Sequence, residues 1–368
     1  MNLKYWKIVL GILAISILLN VFACIPCVAD WYVMYVQSGL VNTYAYFMGL
    51  FSFSVGELIY ACGCLLAVMV LISLIFVVFL RKKIGFRKYF KRLLKTVLAV
   101  VVVDFFICTL SHNIATRCQP LKINEGNRAE EYNVAELEAV RNYIVKKCNT
   151  LSTQIERDES GYAVYAGDIQ KQSIIAMQGI SDIIPRLAGY YPRMKPVLGS
   201  RFMSVTGIAG VYFAETMEVN YNSEMYVTNY PPTFCHEYAH VKGFMREDEA
   251  NFIGFLACIE SEDIFFQYCG YLSVYDYIDA AYIEHVSKER YGEQIQANDM
   301  VIRDDIFIDS QVWDAIYDGT DEWGVDIGQL NDMQDTITDI EIKLSGDEDG
   351  IESYDRVTEL LLQYFDIA

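Results

Sequence analysis

Histidine is scarce in this chain of 368 residues, which contains only four. Two of the four stand four positions apart in the segment His236-Glu237-Tyr238-Ala239-His240. In a sequence so poor in histidine, this H-E-x-x-H pattern arises by chance on the order of once in a few hundred cases. We therefore predict that the two histidines and the glutamate act together. The alternative is a surface helix with two incidental histidines.

Cysteine pairs that bind metal are missing from the second part of the chain. No C-x-x-C pair occurs among its five cysteines, which are Cys118, Cys148, Cys235, Cys258 and Cys269. The chain also has no internal repeat and no low-complexity tract. The second part therefore carries no cysteine signature of a zinc site.

Three apolar stretches near the N-terminus are long enough to cross a bilayer: residues 8–29, 58–80 and 93–110. Hydrophobic residues make up 53% of the chain, which is more than one ordinary soluble domain carries. We therefore predict an N-terminal membrane anchor of three helices over residues 1–111, followed by a separate domain over residues 112–368.

Lysine and arginine are absent between Asp30 and Glu57, whereas the connection between the second and third stretches is densely basic from Arg81 to Arg92. In membrane proteins the excess of basic residues lies in cytoplasmic loops. This asymmetry predicts a multi-pass protein of the cell membrane with a cytoplasmic N-terminus. Everything after about Ser111 is then expected outside the cytoplasm.

Positive charge is also scarce in the rest of the chain, where nineteen basic residues face forty-six acidic ones after residue 95. A strongly acidic surface repels nucleic acid and anionic lipid. The second part is therefore not expected to bind nucleic acid. It is compatible with a soluble domain outside the cell, attached to the lipid bilayer by the apolar helices.

The H-E-x-x-H segment has the spacing of a zinc-binding helix. Residues four apart lie on the same face of an α-helix, so His236 and His240 can bind one metal ion, and Glu237 lies about 100° around the helix. Zinc lowers the pKa of its bound water to about 7, and a neighbouring carboxylate can take the proton as that water attacks a carbonyl. The pattern predicts peptide-bond hydrolysis with Zn²⁺ as cofactor and Glu237 as general base.

A catalytic zinc ion takes three protein ligands and leaves one position for water, so a third ligand is needed. Gly243 is expected to end the histidine helix in a left-handed turn, and residues 247–257 predict a second helix that begins with acids. Glu247 and Asn251 share one face of that helix. We predict Glu247 as the third ligand, with Glu249 as the reserve candidate, and we expect Asn251 to form a hydrogen bond with one of the metal ligands from outside the coordination sphere. Favourable charge at a helix start is the alternative role of either acid.

Two residues further along are additional candidates, Tyr282 and His285. Either could stabilise an oxyanion or replace Glu247 as a ligand. A lone histidine on a helix, however, is more often a surface or core residue.

The stretch upstream of the histidine helix predicts a hairpin or a small sheet, because β-branched and aromatic residues dominate between residues 205 and 221. Pro231-Pro232 then ends that structure. Thr233 is expected to be the N-cap of the histidine helix.

Several blocks of the sequence resemble one known family. They are Lys195-Pro196-Val197-Leu198, Ser204-Val205-Thr206-Gly207-Ile208-Ala209-Gly210, the segment from His236 to Asn251, Ser52-Phe53-Ser54-Val55-Gly56-Glu57-Leu58-Ile59-Tyr60 and Ser353-Tyr354-Asp355-Arg356-Val357. In these blocks the chain is similar to the domain-of-unknown-function 3810 family of membrane-anchored proteins. More distantly it resembles the gluzincin metallopeptidases, whose third zinc ligand is the first Glu of an E-x-x-A-[DN] helix. That resemblance supports Glu247 over Glu249.

The resemblance to zinc peptidases also implies that an edge strand upstream of the histidine helix binds substrate backbone, a role that falls on residues 210–219. We therefore predict a three-helix membrane anchor followed by a mostly α, zincin-like domain of the α+β class with a small sheet. The expected function is that of a membrane-anchored zinc metallopeptidase with a peptide or protein substrate. The alternatives are a non-catalytic zinc-containing membrane receptor or assembly factor, and hydrolysis of an amide other than a peptide bond.

Overall fold

The computed structural model describes residues 3–123, 133–288, 290–292 and 355–365. The chain divides into two compact units. The N-terminal unit consists of Met1–Gln119 together with Phe213–Glu218, and the second unit consists of Pro120–Tyr212 and Val219–Ala368. A short internal segment, Phe213–Glu218, is therefore grouped with the N-terminal residues, which the sequence did not predict.

The described residues of the N-terminal unit before Cys118 are mostly helical. Its helices are α1 (Leu3–Ala23), α2 (Pro26–Tyr32), α3 (Ser38–Leu40), α4 (Tyr46–Gly49), α5 (Val55–Leu80) and α6 (Ile84–Cys108), with π-helical turns at Val33–Gln37, Val41–Ala45 and Thr109–Asn113 and a 3₁₀ turn at Ala115–Arg117.

Three segments of this unit are long and apolar enough to cross a membrane, as predicted: Leu3–Ala23, Val55–Val77 and Ile84–Asn113. Only 6% of the best apolar window in the second segment is buried inside the protein, so its side chains face outwards as lipid-facing residues do. The chain therefore has the helices of a membrane protein.

The ends of these segments differ from the predicted 8–29, 58–80 and 93–110. Pro26 explains why the first helix stops at Ala23, because proline has no N–H to donate and fits the first turn of a new helix. The third segment begins nine residues early, at Ile84, because the basic residues from Arg87 to Arg92 are helical as well. A helix can carry such residues where long side chains reach water.

The segment Phe213–Glu218, called here the hairpin tip, packs on the N-terminal helices. The Phe213 ring fills the space beside Gly56, where a Cβ atom would lie 2.3 Å from ring atom Cδ2. Glu218 Oε2 accepts hydrogen bonds from Gly56 N at 2.7 Å and from Thr216 Oγ1 at 3.0 Å. The Tyr44 hydroxyl donates to the carbonyl of Glu215 at 2.8 Å. The tip is thus held by polar and apolar contacts together.

The second unit is mostly helical with one small sheet, as predicted. Its elements are α7 (Val134–Ser152), α8 (Ile169–Gly179), β1 (Met194–Pro196), α9 (Ser200–Val205), β2 (Gly210–Phe213), β3 (Glu218–Tyr221), α10 (Tyr230–Val241), α11 (Glu247–Ile259), α12 (Ile264–Ser273), α13 (Tyr275–His285) and α14 (Asp355–Phe365), with 3₁₀ turns at Pro185–Leu187 and Val227–Asn229. The last residue of β2, Phe213, and the first residue of β3, Glu218, belong to the hairpin tip.

The sheet has the strand order β1-β3-β2, so β2 is an outer strand. β1 runs parallel to β3, with Met194 opposite Val219. β2 and β3 form the predicted hairpin between residues 205 and 221. An outer strand has one row of backbone N–H and C=O groups that its own sheet does not pair, which is the property that β-augmentation requires.

The centre of the second unit is the pair of helices α10 and α11. Tyr238, Phe252 and Phe255 are fully buried there. Helix α14 packs on α11 through Tyr364, whose ring centroid lies 6.1 Å from those of both Phe252 and Phe255. The last described helix is therefore part of this core.

Candidate metal centre

Helix α10 begins earlier than the sequence suggested. Its first residue is Tyr230, its N-cap is Asn229, and Pro231 and Pro232 lie in its first turn. The prediction of Thr233 as N-cap was therefore wrong. Proline lacks the N–H that the first turn leaves unbonded in any case, and its fixed φ matches the helix, so the two prolines start the helix here.

The end of α10 follows the prediction. Gly243 has a φ of 86°, in the left-handed region that favours glycine. Its N–H donates to His240 O at 2.9 Å, and Phe244 N donates to Ala239 O at 3.1 Å. This turn also brings Phe244 O to 2.8 Å from His240 Nδ1. The turn that ends the helix therefore also orients one of the two histidines.

Helix α11 begins at Glu247, four residues after that glycine, and carries acids at its first three positions. Asn251 lies one turn further on, and its Oδ1 is 2.8 Å from His236 Nδ1. Asn251 thus forms a hydrogen bond with one of the two histidines. The two helices thus face each other with His236, His240 and Glu247 between them.

The ligand atoms of these three residues converge. His236 Nε2 and His240 Nε2 are 3.0 Å apart, and they lie 3.3 Å and 3.5 Å from the carboxylate oxygens of Glu247. Tetrahedral ligands at the usual zinc distances of about 2.0–2.2 Å are separated by about 3.3–3.6 Å. The two nitrogen–oxygen distances fall in this range and the nitrogen–nitrogen distance of 3.0 Å lies just below it, so the spacing is close to that of ligands around one zinc ion.

The proton positions of the two imidazoles fit the same geometry. Each Nδ1 lies against an oxygen acceptor, Asn251 Oδ1 for His236 and Phe244 O for His240. A proton on each Nδ1 leaves both Nε2 lone pairs directed at the same point, which is how outer partners fix metal-binding histidines.

The negative charge around His236 raises the pKa of its imidazole by more than burial lowers it. Burial lowers the pKa of this imidazole, but the hydrogen bond and charge of Glu247, with smaller effects of Glu237 and Asn251, raise the pKa to about 9. The position therefore attracts a cation, which is a proton when no metal is bound.

Glu237 lies beside this group and is 4% exposed. Burial raises the pKa of its carboxyl, and despite the opposing effect of His236 the pKa reaches about 8, with Glu247 adding to the rise. Among the described residues its Oε2 atom is buried with no hydrogen-bond partner. A buried acceptor without a donor is costly unless the site later supplies one. Glu237 is thus arranged to receive a proton.

Strand β2 lies against the same side chain. A Cβ atom on Gly210 would be 2.4 Å from Glu237 Oε1, so the strand approaches the carboxylate more closely than any side chain would permit. Tyr212, two residues along, has its ring centroid 6.4 Å from that of His240. Tyr212 was not among the residues predicted for the site, because its only signal in the sequence is its place in the predicted edge strand.

The remaining candidates lie elsewhere in the second unit. Glu249 is 5% exposed and accepts a hydrogen bond from Leu121 N at 2.8 Å. The Tyr282 hydroxyl donates to Glu138 Oε2 at 2.9 Å. His285 is exposed, and its Nδ1 lies 2.8 Å from Ala281 O. The structure does not bring these three residues to the group formed by the two α10 histidines.

Replacing Asn251 tests the orientation of His236. We expect Asn251→Ala to weaken zinc binding about 10- to 100-fold, because the imidazole loses the acceptor that sets its tautomer and ring angle. Asn251→Asp keeps an acceptor and should bind zinc within a few-fold of wild type. Competition with a zinc chelator on the purified full chain measures both constants, and equal affinities for wild type and the alanine variant would contradict the assigned role.

Replacing Gly210 tests the close approach of β2. A methyl group there displaces either the strand or the Glu237 carboxylate, so we expect Gly210→Ala to lower kcat/KM for a peptide at least about 10-fold, since small misplacements at a reacting centre are costly. Zinc content should stay at the wild-type level. Gly179→Ala is the matched control, because a Cβ atom at Gly179 meets nothing within 4 Å. An active Gly210→Ala protein would mean that β2 is not part of the site.

Comparison with known proteins gives one family. The chain matches the model of a family described as "Protein of unknown function (DUF3810)" over residues 32–362. No curated protein matches the chain, and no solved structure does. The match spans nearly the whole chain, including α10, α11 and the strands beside them.

Proposed function

Because the chain belongs to the DUF3810 family, whose function is unknown, its activity has to be inferred from its own residues, and we propose that it is a membrane-anchored zinc metallopeptidase. The observation that carries this proposal is the convergence of His236 Nε2, His240 Nε2 and the Glu247 carboxylate beside a buried Glu237. Two histidines and one glutamate are a ligand set of catalytic zinc. A zincin-like fold for the second unit is part of the same proposal.

Zinc fits this group by the chemistry of the donors and by their spacing. When bound, the ion acts as a Lewis acid that polarises a carbonyl and lowers the pKa of water to about 7. His236, His240 and Glu247 would hold it. Asn251 and Phe244 O would fix the directions of the two imidazoles.

Glu237 performs the proton transfers in this proposal. Its carboxylate accepts a proton from the attacking water and then gives it to the amine that leaves when the peptide C–N bond breaks. The unpartnered, buried Oε2 supports this role, because it is an acceptor that the protein itself does not satisfy. With zinc held by the three ligands, the pKa of the Glu237 carboxyl would be lower than in the metal-free site, so that Glu237 would be ionised near neutral pH before it accepts the proton.

Strand β2 would bind the substrate. Its outer edge offers backbone N–H and C=O groups to an extended peptide, and Gly210 lies against the base. A glycine at this position lets the substrate backbone come close to Glu237 without a side chain between them. This arrangement favours a peptide or protein substrate over a small amide.

The alternative, a zinc site without catalysis, would need a fourth protein ligand, since catalytic sites keep one position open. Cys235 and Asp248 are the nearest residues in sequence that could supply it. Neither belongs to the group of converging ligand atoms. Cys235 is buried with its Sγ 4.0 Å from Ser173 O, and the Asp248 carboxylate pairs with Arg356. These contacts favour the open site of an enzyme.

The proposed location is the cell membrane, with three spans. The basic connection at the start of α6 would lie in the cytoplasm together with the N-terminus, and the second unit would lie outside. The three helices would then anchor the protein in the lipid bilayer. The second unit is strongly acidic, so nucleic acid is not expected as its partner.

A combined metal and cleavage assay tests the proposal. The purified full chain in detergent or lipid nanodiscs is analysed for metal and incubated with a peptide library. We expect about one zinc per chain and cleavage that stops on chelation and returns with added zinc. A full chain that binds no zinc would overturn the proposal. A chain with one zinc and no cleavage of any peptide would overturn the enzymatic part and favour the non-catalytic alternative.

A further inference from the structure

The first turn of α11 carries three consecutive carboxylates that go to three different partners. Glu247 joins the two histidines, Asp248 pairs with Arg356 and Glu249 accepts from Leu121 N. We propose that the Asp248–Arg356 ion pair and the Glu249–Leu121 hydrogen bond set the rotation of α11 about its axis, so that Arg356 is a positioning residue for the ligand Glu247. This inference rests on the proposed zinc centre and adds a role for the C-terminal helix.

The Asp248–Arg356 ion pair is largely removed from water. Arg356 Nε lies 3.1 Å from Asp248 Oδ2, and the two side chains are 12% and 6% exposed. Arg356 stands in the first turn of α14, 108 residues after its partner. α14 also packs on α11 through Tyr364, so the pair is one end of a helix-to-helix contact. The Arg356 guanidinium is therefore carried by a helix that is itself packed against α11.

The second contact comes from another part of the chain. Leu121 N donates to Glu249 Oε1 at 2.8 Å, and Arg246 Nε lies 4.0 Å from the same oxygen. Leu121 belongs to the segment that follows the 3₁₀ turn Ala115–Arg117. Two separate segments, one from each side of the α10–α11 pair in sequence, thus contact consecutive residues of the same helical turn.

These contacts oppose rotation in both directions. Successive residues are about 100° apart around a helix, so residues 247, 248 and 249 together cover about 200° of its circumference. Asp248 and Glu249 lie about 100° apart on it and bind two different segments, so these two contacts resist turning of α11 in either sense. Glu247, the first residue of the three, then has a fixed direction towards His236 and His240.

Small rotations matter because the ligand lies far from the helix axis. A side chain reaches about 5–6 Å from the axis, and metal–ligand distances are kept within about 0.2 Å. A rotation of about 2° already moves a side-chain tip by that amount. The packing of Phe252 and Phe255 holds α11 in the core, but apolar contacts are less directional than a hydrogen-bonded ion pair.

Favourable charge at a helix N-terminus explains why acids occur here but not where they point. A carboxylate that only balances the helix dipole can stay in water. Asp248 and Glu249 are 4% and 5% exposed, so both have given up hydration for specific partners. Burial of two consecutive carboxylates against specific partners indicates that the first turn of α11 has to keep one orientation.

Zinc affinity of an Arg356 variant tests the inference. The full chain is purified as wild type, Arg356→Gln, Arg356→Lys and Tyr364→Phe, and zinc affinity is measured by chelator competition. We expect Arg356→Gln to bind zinc about 10- to 100-fold more weakly, as for other changes to partners of a ligand. Arg356→Lys should recover part of the loss. Tyr364→Phe is the matched control, because it removes a hydrogen bond to Glu260 at the far end of the same helix and should leave zinc affinity unchanged.

A second measurement separates positioning from general stability. The visible absorption of the Co²⁺-substituted protein reports ligand geometry, and we expect it to change in Arg356→Gln but not in Tyr364→Phe. If Arg356→Gln does not fold, Asp248→Asn, which keeps the side-chain size, replaces it with an expected several-fold loss of zinc affinity.

The outcomes distinguish this inference from the zinc proposal. Wild type that binds zinc, with a folded Arg356→Gln or Asp248→Asn of equal affinity and an unchanged Co²⁺ spectrum, would overturn the positioning role and leave the zinc centre intact. Wild type that binds no zinc would overturn both.

Discussion

Glu237→Gln is expected to keep its zinc and to lose peptide hydrolysis by about 100- to 10,000-fold, the usual contribution of a general acid–base group. Glutamine has the same size as glutamate, so it can occupy the same space against Gly210. Its amide cannot take a proton from water at neutral pH. The three ligand residues are unchanged. This variant should therefore bind zinc as wild type does while it no longer hydrolyses peptides at the wild-type rate.

The measurement is kcat/KM on a peptide found by library cleavage, together with metal content, for the full chain in detergent. Glu262→Gln is the control. Glu262 is exposed between α11 and α12, so this substitution makes the same chemical change on the surface. A Glu237→Gln protein as active as wild type would show that the general base has been misassigned, even if zinc is present.

Loss of the carboxylate ligand should have the second large effect. We expect Glu247→Ala to weaken zinc binding more than about 100-fold, because removal of a direct ligand costs more than removal of an outer partner. Glu249→Gln provides the comparison at the reserve position. Its side-chain oxygen can still accept from Leu121 N, so zinc affinity should stay near that of wild type. The two variants thus test which acid of the first turn binds the metal.

Chelator competition and metal analysis on the same protein preparations decide between them. If Glu249→Gln lost zinc while Glu247→Ala kept it, the assignment of Glu247 as the third ligand would be wrong. Activity should follow zinc occupancy in both variants, since neither change touches Glu237.

The local part of the candidate centre could be predicted from sequence because its geometry repeats along helices. The spacing of His236 and His240, the glycine turn at Gly243 and the acids that begin α11 are all features of four or five residues. The same periodicity placed Asn251 one turn after Glu247, where its side chain meets His236. Such features need no knowledge of the rest of the fold.

The long-range part could not be predicted in this way. Gly210 meets Glu237 across 27 positions, and Arg356 meets Asp248 across 108. No periodicity connects residues so far apart, and the partner depends on how whole elements pack. The roles of Tyr282 and His285 as ligand or oxyanion groups were weak predictions for the same reason, and the structure places both side chains on other contacts.

The helix starts show how local rules compete. Thr233 is a good N-cap and stood after two prolines, which suggested that the helix begins there. The prolines instead occupy the first turn, with Asn229 as N-cap. Both arrangements obey the same physics, and only the position of the preceding 3₁₀ turn, Val227–Asn229, selects one of them.

The hairpin tip has a consequence for release of the protein from its membrane helices. Cleavage after the third span would strip Phe213 of the surface beside Gly56 and Glu218 of the backbone donor that its buried carboxylate accepts from. An apolar ring and a carboxylate with one hydrogen bond fewer would then stand at the turn between β2 and β3. A shed form would thus be more prone to aggregate than the intact chain.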